Sequence, residues 1–423
     1  IFLLSCAIVA RADPSADIAA ASAAAPRQSD EDDNIFQTFP KESAEHELLQ
    51  QEFLHLLGLE SRPSSVVQEL RHNSAPHFLR QIYNTLHHLS TNEDAKADAS
   101  DFVSDETDAE KILSAIANAD MIISYPNRGT NFTYPGHIHE YLYFDSGSRE
   151  ATAAPLLAEL RLYKELSPYF PATGSQFTLS LYQVVDSGNG TLELELLSWK
   201  SVHPYYFGWI VFDVTELMKK WVSDPFSNFG LHIVVRDADN PSVEYPLTIL
   251  GISGNSAPDF KQPFLVAFFE TFPEPPVIRR RRAAAGGGNQ YSYDTINHDP
   301  YLSAKTRCQR KSLFVSFAEL GWQDWVLAPN GYQAYHCAGE CRFPMDINLN
   351  ATNHAIMQTL MNFYEPQGVP PACCAPKKLS AQSILYFDDN SNVILKVYGR
   401  HGDRILRLPL ECFSLVLIHF SLL

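Results

Sequence analysis

From Glu47 to about Leu59 the apolar residues Leu48, Leu49, Phe53, Leu56 and Leu57 recur at helical spacing, which predicts an amphipathic helix. A second helix is predicted over 76–90, with Phe78, Ile82, Leu86 and Leu89 on one side. Pro63 and the polar run 91–110 read as connectors. Residues 120–270 change texture. Short alternating or β-branched runs recur at MIISY (121–125), EYLYFD (140–145), FTLSLYQVV (177–185), TLELELLSW (191–199), GWIVFDV (208–214) and GLHIVV (230–235). Turn residues separate them at 186–190 and 237–241, so this stretch predicts an antiparallel sandwich. TELMKKWV (215–222) reads as a helix interrupting it. Beyond 270 come Pro273, Pro275 and Pro276, four arginines and AAAGGGNQ, a segment that cannot hold fixed structure alone. No internal repeat is visible.

Charge divides the chain at the same place. The net charge is -17 over 423 residues, and residues 1–282 hold all of it, because the charges of 283–423 cancel. That sign argues against a nucleic-acid binder working through a basic surface. The seven cysteines divide likewise: Cys6 stands alone, then Cys308, Cys337, Cys341, Cys373 and Cys374 crowd together, with Cys412 behind. A cysteine-free region followed by a dense cluster points to an oxidising compartment and a small stapled module. IFLLSCAIVARA (1–12), apolar and closed by small residues, resembles the end of a secretory leader, and 13–46 reads as a flexible acidic segment. No run reaches the roughly 18–20 apolar residues of a membrane span, and the apolar tail 412–423 is too short. The expectation is a secreted product. No nucleophile elbow, phosphate loop or His-Glu-x-x-His occurs, so no enzyme, cofactor or metal is expected.

Arg279, Arg280, Arg281 and Arg282 stand in the mobile-reading linker, accessible to a processing protease that takes extended basic segments, with cleavage expected after Arg282. Asn131, Asn189 and Asn350 begin Asn-x-Thr sequons and are candidate glycosylation sites. The most specific signal is Cys337-Ala-Gly339-Glu-Cys341 with adjacent Cys373-Cys374. It admits three readings. A zinc site would draw on His336, His354 and thiolates; a catalytic thiol lacks a declared partner; a disulfide knot gives Gly339 a purpose. A ring closed through the two cysteines has room for a threading bridge only if the residue between them has no side chain. Cys373 and Cys374 point oppositely on a strand, so one can enter the core and the other face a second chain. The knot reading is preferred.

SLFVSFAELGWQDWVLAPNGYQAYHCAGECRFP (312–344), NATNHAIMQTL (350–360) and PPACCAPKKLSAQSILYFDDNSNVILK (370–396) resemble the transforming growth factor-β superfamily, in particular its bone morphogenetic protein branch. LLGLESRP (56–63), NSAPHFL (73–79), AELRLYKE (158–165), GWIVFDVTELMKKWV (208–222) and PFLVAFF (263–269) resemble that subgroup's prodomain. The resemblance implies a multidomain precursor. Leader (1–12) and acidic segment (13–46) would precede an α+β prodomain (47–270) of N-terminal helices and an antiparallel β-sandwich. A linker with the processing site (271–300), a small, mostly β cystine-knot growth-factor domain with one helix (301–398) and a tail (399–423) would follow. It implies a Cys308–Cys374 bridge, bridges from Cys337 and Cys341, and an interchain bond through Cys373 to a second protomer, as homo- or heterodimer. That dimer would bind type I and type II serine/threonine-kinase receptors and trigger SMAD-type signalling. Trp322, Trp325, Phe343 and Pro344, with the helix near 353–364, would form the type I surface. Ala328, Pro329, Ser383, Leu385 and Leu395 would form the type II surface. The cleaved prodomain is a further expected partner.

The residues read the same way. Trp322 and Trp325 are large apolar groups in a polar stretch, suited to an interface hot spot or to ordinary core packing. The helix has Asn353 as cap candidate, Ile356, Leu360 and Tyr364 on one face, and Pro366 after it. A module this small needs that face buried against another protomer. After Tyr398 the resemblance ends. The family's closing Cys-Gly-Cys is absent and only Cys412 remains, so Cys337 and Cys341 are not both expected to find their partners within the chain. Each such bridge is worth about 2–5 kcal/mol. A form that signals weakly, acting as a carrier or dominant-negative partner of an intact relative, is the alternative expectation.

Overall fold

The structure, a computed structural model, describes residues 72–91, 106–129, 140–146, 153–166, 176–186, 192–255, 257–271, 307–345 and 351–398. It also describes the strand 408–415 and seven positions between 50 and 63. In chain order the elements are helices α1 (Ser74–Thr91) and α2 (Glu106–Asn118), strands β1 (Met121–Pro126), β2 (Glu140–Leu142), β3 (Ala153–Lys164), β4 (Phe177–Asp186), β5 (Leu192–Val202) and β6 (Gly208–Asp213), helix α3 (Thr215–Ser223), and strands β7 (Leu231–Asp237), β8 (Glu244–Tyr245) and β9 (Phe264–Thr271). The cysteine-rich part contributes β10 (Gln309–Lys311), β11 (Phe314–Ser316), β12 (Val326–Ala328), β13 (Gly331–Gln333), β14 (His336–Ala338), helix α4 (Asn353–Tyr364), β15 (Cys373–Ser380), β16 (Gln382–Phe387), β17 (Val393–Tyr398) and β18 (Leu408–Leu415).

The antiparallel sandwich is present, and it extends past the prodomain. One sheet has the order β2-β7-β4-β5. The other has seven strands, β12-β16-β17-β1-β9-β3-β6, three of them from the growth-factor part. The joint is β1 against β17, Met121 opposite Lys396 through Ser124 opposite Val393. Asp120 fastens its end: its carbonyl accepts from the Val397 amide at 2.7 Å, and its carboxylate accepts from the Thr271 amide at 2.9 Å and from the Thr271 hydroxyl.

Both faces of this sheet are covered, so its strands alternate between two cores. Met121, Ile123, Leu265, Ala267, Phe269, Ile384, Tyr386 and Ile394 face the second sheet. Ile122, Phe264, Val266, Phe268, Leu385, Phe387, Val393 and Leu395 face α1 and α2. Burial on both sides is why PFLVAFF reads as a continuous apolar run without period-2 alternation. Two strands were absent from the alternation pattern for that reason, β9 and the long β3. The stretch read as a connector up to 110 also yields a helix, α2, whose Ile112, Ala115 and Ile116 reach the core. Of the first predicted helix, Gln50, Gln51 and Leu54 are helical and Leu54 is buried.

α1 lies over the joint. Ala75, Phe78, Leu79 and Ile82 bury among Leu385, Phe387, Val393 and Leu395 of the growth-factor strands. Beneath it, Arg161 donates to Glu159 at 2.7 Å with both side chains out of solvent, and its guanidinium sits 4.2 Å from the Phe78 ring centroid. A buried ion pair survives only with its remaining polar and π contacts met. Phe78→Ala is therefore expected to cost about 3–5 kcal/mol in denaturant unfolding and to raise amide exchange in 384–396.

Candidate receptor-binding surfaces and the cystine core

Cys308 is bonded to Cys374, with Cα atoms 5.5 Å apart across 66 residues of sequence. Cys337 is disulfide-bonded as well. Cys341 is buried beside Cys308 and Ala372, and the half-buried Cys373 thiol donates toward the Cys374 carbonyl at 3.9 Å. Gly339 has φ of +121°, and a Cβ there would stand 2.2 Å from the Arg307 carbonyl oxygen and 2.7 Å from the Cys308 amide nitrogen. The chain entering Cys308 thus occupies the space a side chain would take. The tail supplies an ordered element too: β18 pairs with β15, setting Cys412 opposite Pro376 and Ser414 opposite Cys374.

The two tryptophans are core residues in the uncut chain. Trp322 and Trp325 are 0% and 1% exposed, with ring centroids 5.1 Å apart. Phe317 stacks on Trp322 and Tyr386 meets Trp325 edge-on. Burial pushes the Tyr332 phenol of the same cluster well above its ordinary pKa. Part of the cover comes from the N-terminal side of the prodomain, where Leu54 and Leu59 join the same core. Gln50 donates to the Leu320 carbonyl at 3.2 Å, and Arg62 bridges the Gly321 carbonyl and the Asp324 carboxylate at 2.7 and 2.8 Å. Phe343 and Pro344 remain exposed.

Of the other proposed face, Leu385 and Leu395 are fully buried under α1, while Ala328, Pro329 and Ser383 are half-buried. α4 is capped by Thr352, whose hydroxyl accepts from the Ala355 amide at 3.2 Å, and Asn353 is the first helical residue rather than the cap. Only Ala355 and Thr359 of α4 are buried. Ile356, Met357, Met361, Phe363 and Tyr364 are exposed, an apolar face on the surface of the single chain. The Arg279–Arg282 run and Asn131, Asn189 and Asn350 lie outside the described residues. Among the described residues no His, Cys, Asp and Glu group could hold a metal ion, and no helix is long and apolar enough to cross a membrane.

An antiparallel sandwich whose sheet continues into a disulfide-bridged unit of short strands defines the class: a growth factor carried in one chain with its prodomain. Residues 34–268 match the TGF-beta propeptide and residues 307–401 the transforming growth factor beta like domain. The chain is 35% identical to human bone morphogenetic protein 8A over 85% of its length and 88% of that protein's. It is 34% identical to the mouse bone morphogenetic protein 8A over the same shares, and 33% identical to Protein 60A of Drosophila melanogaster, over 82% and 83%. The chain belongs to the transforming growth factor-β superfamily, in its bone morphogenetic protein branch. Members of that family are secreted, dimerising growth factors made with a propeptide, and are not enzymes.

Core packing is thus the outcome for the two tryptophans, whereas the cover over Leu385 had no local signal, since it comes from α1, about 300 residues away in the chain. Gly339→Ala is expected to block Cys308–Cys374 formation, which peptide mapping without reduction would read as loss of that linked pair.

Proposed function

We propose that this chain is the precursor of a secreted signalling growth factor, cut after Arg282 by a processing protease that reads Arg279, Arg280, Arg281 and Arg282. The released domain acts as a dimer, joined through Cys373 and through the exposed face of α4. It assembles type I receptors on Trp322, Trp325, Phe343 and Pro344 and type II receptors on Ala328, Pro329, Ser383, Leu385 and Leu395, leading to SMAD-type signalling. Supporting this is the burial of Leu385 and Leu395 against α1, and of Trp322 and Trp325 in a core that Leu54 and Leu59 join. Residues that must reach a receptor are withheld until the prodomain lifts away, so cutting and release are the activating steps. Asn131, Asn189 and Asn350 are its proposed glycosylation sites.

The test compares binding to type I and type II receptor ectodomains by the uncut chain, with all four arginines changed to alanine, and by the cut and separated domain. Binding only by the separated domain is the expected result. Equal binding by both refutes the masking. Cys373→Ser is expected to abolish the covalent dimer on non-reducing electrophoresis.

A second reading rests on the tail, where one cysteine stands in place of the family's closing pair. Cys337 is bonded, and the reading takes Cys412 as its partner, because β18 runs beside β15 and sets Cys412 opposite Pro376, close to Cys374. One fewer bridge weakens the ligand and favours its use as a carrier or dominant-negative partner of an intact relative. Co-expression with such a relative would show the mixed dimer secreted but with reduced receptor activation.

A further inference from the structure

An edge strand of the prodomain carries an apolar stripe that the function above leaves unused. β5 pairs with β4 on one side and, among the described residues, with no strand on the other. It is 11 residues long, and natural edges of that length are normally blunted by prolines, lysines or brevity. Its register with β4 slips between Leu181 and Tyr182, so Leu197 is an extra residue. The slip brings Leu192, Leu194, Leu196 and Trp199 onto one side of the strand, with Glu193, Glu195, Ser198 and Lys200 on the other. Leu196 is 52% exposed and Trp199 62%. A Leu-Glu-Leu-Glu-Leu pattern with the leucines outward is the reverse of what a solvent-facing edge needs.

We propose that β5 is a self-association edge, pairing antiparallel with β5 of a second copy of this chain and continuing one prodomain's sheet into another's. Charge selects both the partner and the register. Pairings centred on 193, 194 or 195 set a glutamate of one copy against a glutamate of the other, and like charges directly opposite are unfavourable. A pairing centred on the bulge does the reverse. Glu193 then faces Lys200 of the other copy, Leu194 faces Trp199, Glu195 faces Ser198, and Leu196 meets Leu197 at the two-fold axis. Each contact occurs twice, as an isologous interface requires. Opposite residues on either side of the axis share a face, because both strands carry the same extra residue, Leu197, there. Backbone hydrogen bonds supply affinity and the leucine–tryptophan contacts supply buried area.

Cysteine trapping in the full-length uncut chain carrying Cys373→Ser tests this. Glu195→Cys with Ser198→Cys places two pairs in register, whereas Glu193→Cys with Ser198→Cys is out of register. Covalent dimer on non-reducing electrophoresis is expected from the first combination only, lost when Trp199→Asp is added. Lys200→Glu should also abolish it, and Glu193→Lys on top of Lys200→Glu should restore it, a rescue that a purely structural role does not produce. Every β5 substitution lies on an exposed or half-exposed edge, and protease resistance of each variant checks folding. No dimer from the in-register pair in a folded chain, equal dimer from both pairs, or cross-linking to a different protein would each overturn the proposal.

Discussion

Four opposed residue pairs, from Met121 with Lys396 to Ser124 with Val393, carry a prodomain sheet into the growth-factor strands. Without that seam the two halves would be neighbours on a string. With it, each has an unpaired strand edge satisfied by the other, and buried backbone amides and carbonyls find partners across roughly 270 residues of sequence. The remaining contacts follow from its register. A one-residue slip would turn Leu385 and Leu395 toward the second sheet and Ile384 and Ile394 toward α1, so the seam decides which growth-factor residues each prodomain element covers.

Under the proposed processing, a cut after Arg282 would sever none of these contacts. Phe78, Leu79 and Ile82 of α1 are buried against the sheet, and each apolar side chain of that size contributes about 1.5–3 kcal/mol. Together with the seam, such burial can hold prodomain and ligand together after the backbone is severed. In the proposed function, processing and release are therefore separate events, and the non-covalent term sets when the covered faces would open.

The cysteine cluster solves a different problem. The growth-factor strands β10 to β14 are three residues long and bury little of their own, so the module depends on cross-links and on partners. Closing a loop across 66 residues is worth about 4 kcal/mol in the chain-entropy view, comparable with the whole stability of a small domain. Gly339 is the steric condition for that bridge, since the Arg307–Cys308 backbone lies where a side chain would be. β18 lets a tail that departs from its family still lend a strand to β15 and a cysteine to its neighbourhood.

By itself the amino-acid sequence determined what is local. Alternation marked β4, β5, β6 and β7; helical spacing marked α1; and the glycine of Cys-x-Gly-x-Cys marked a position where the Arg307–Cys308 backbone leaves no space for a side chain. Only the tertiary structure decided the rest. β3 and β9 lie between two covered faces, which erases the alternation that would have marked them, and α2 was hidden in a run whose few apolar residues meet a core from elsewhere. Trp322 and Trp325 carried two readings because a large apolar side chain is the same in an interface and in a core. Phe317 and Tyr386 pack on them, and Leu54 and Leu59, brought from the far end of the chain, join the same core. Pairing between β1 and β17 has no local signature, because strand edges are alike until folding sets two of them about 5 Å apart.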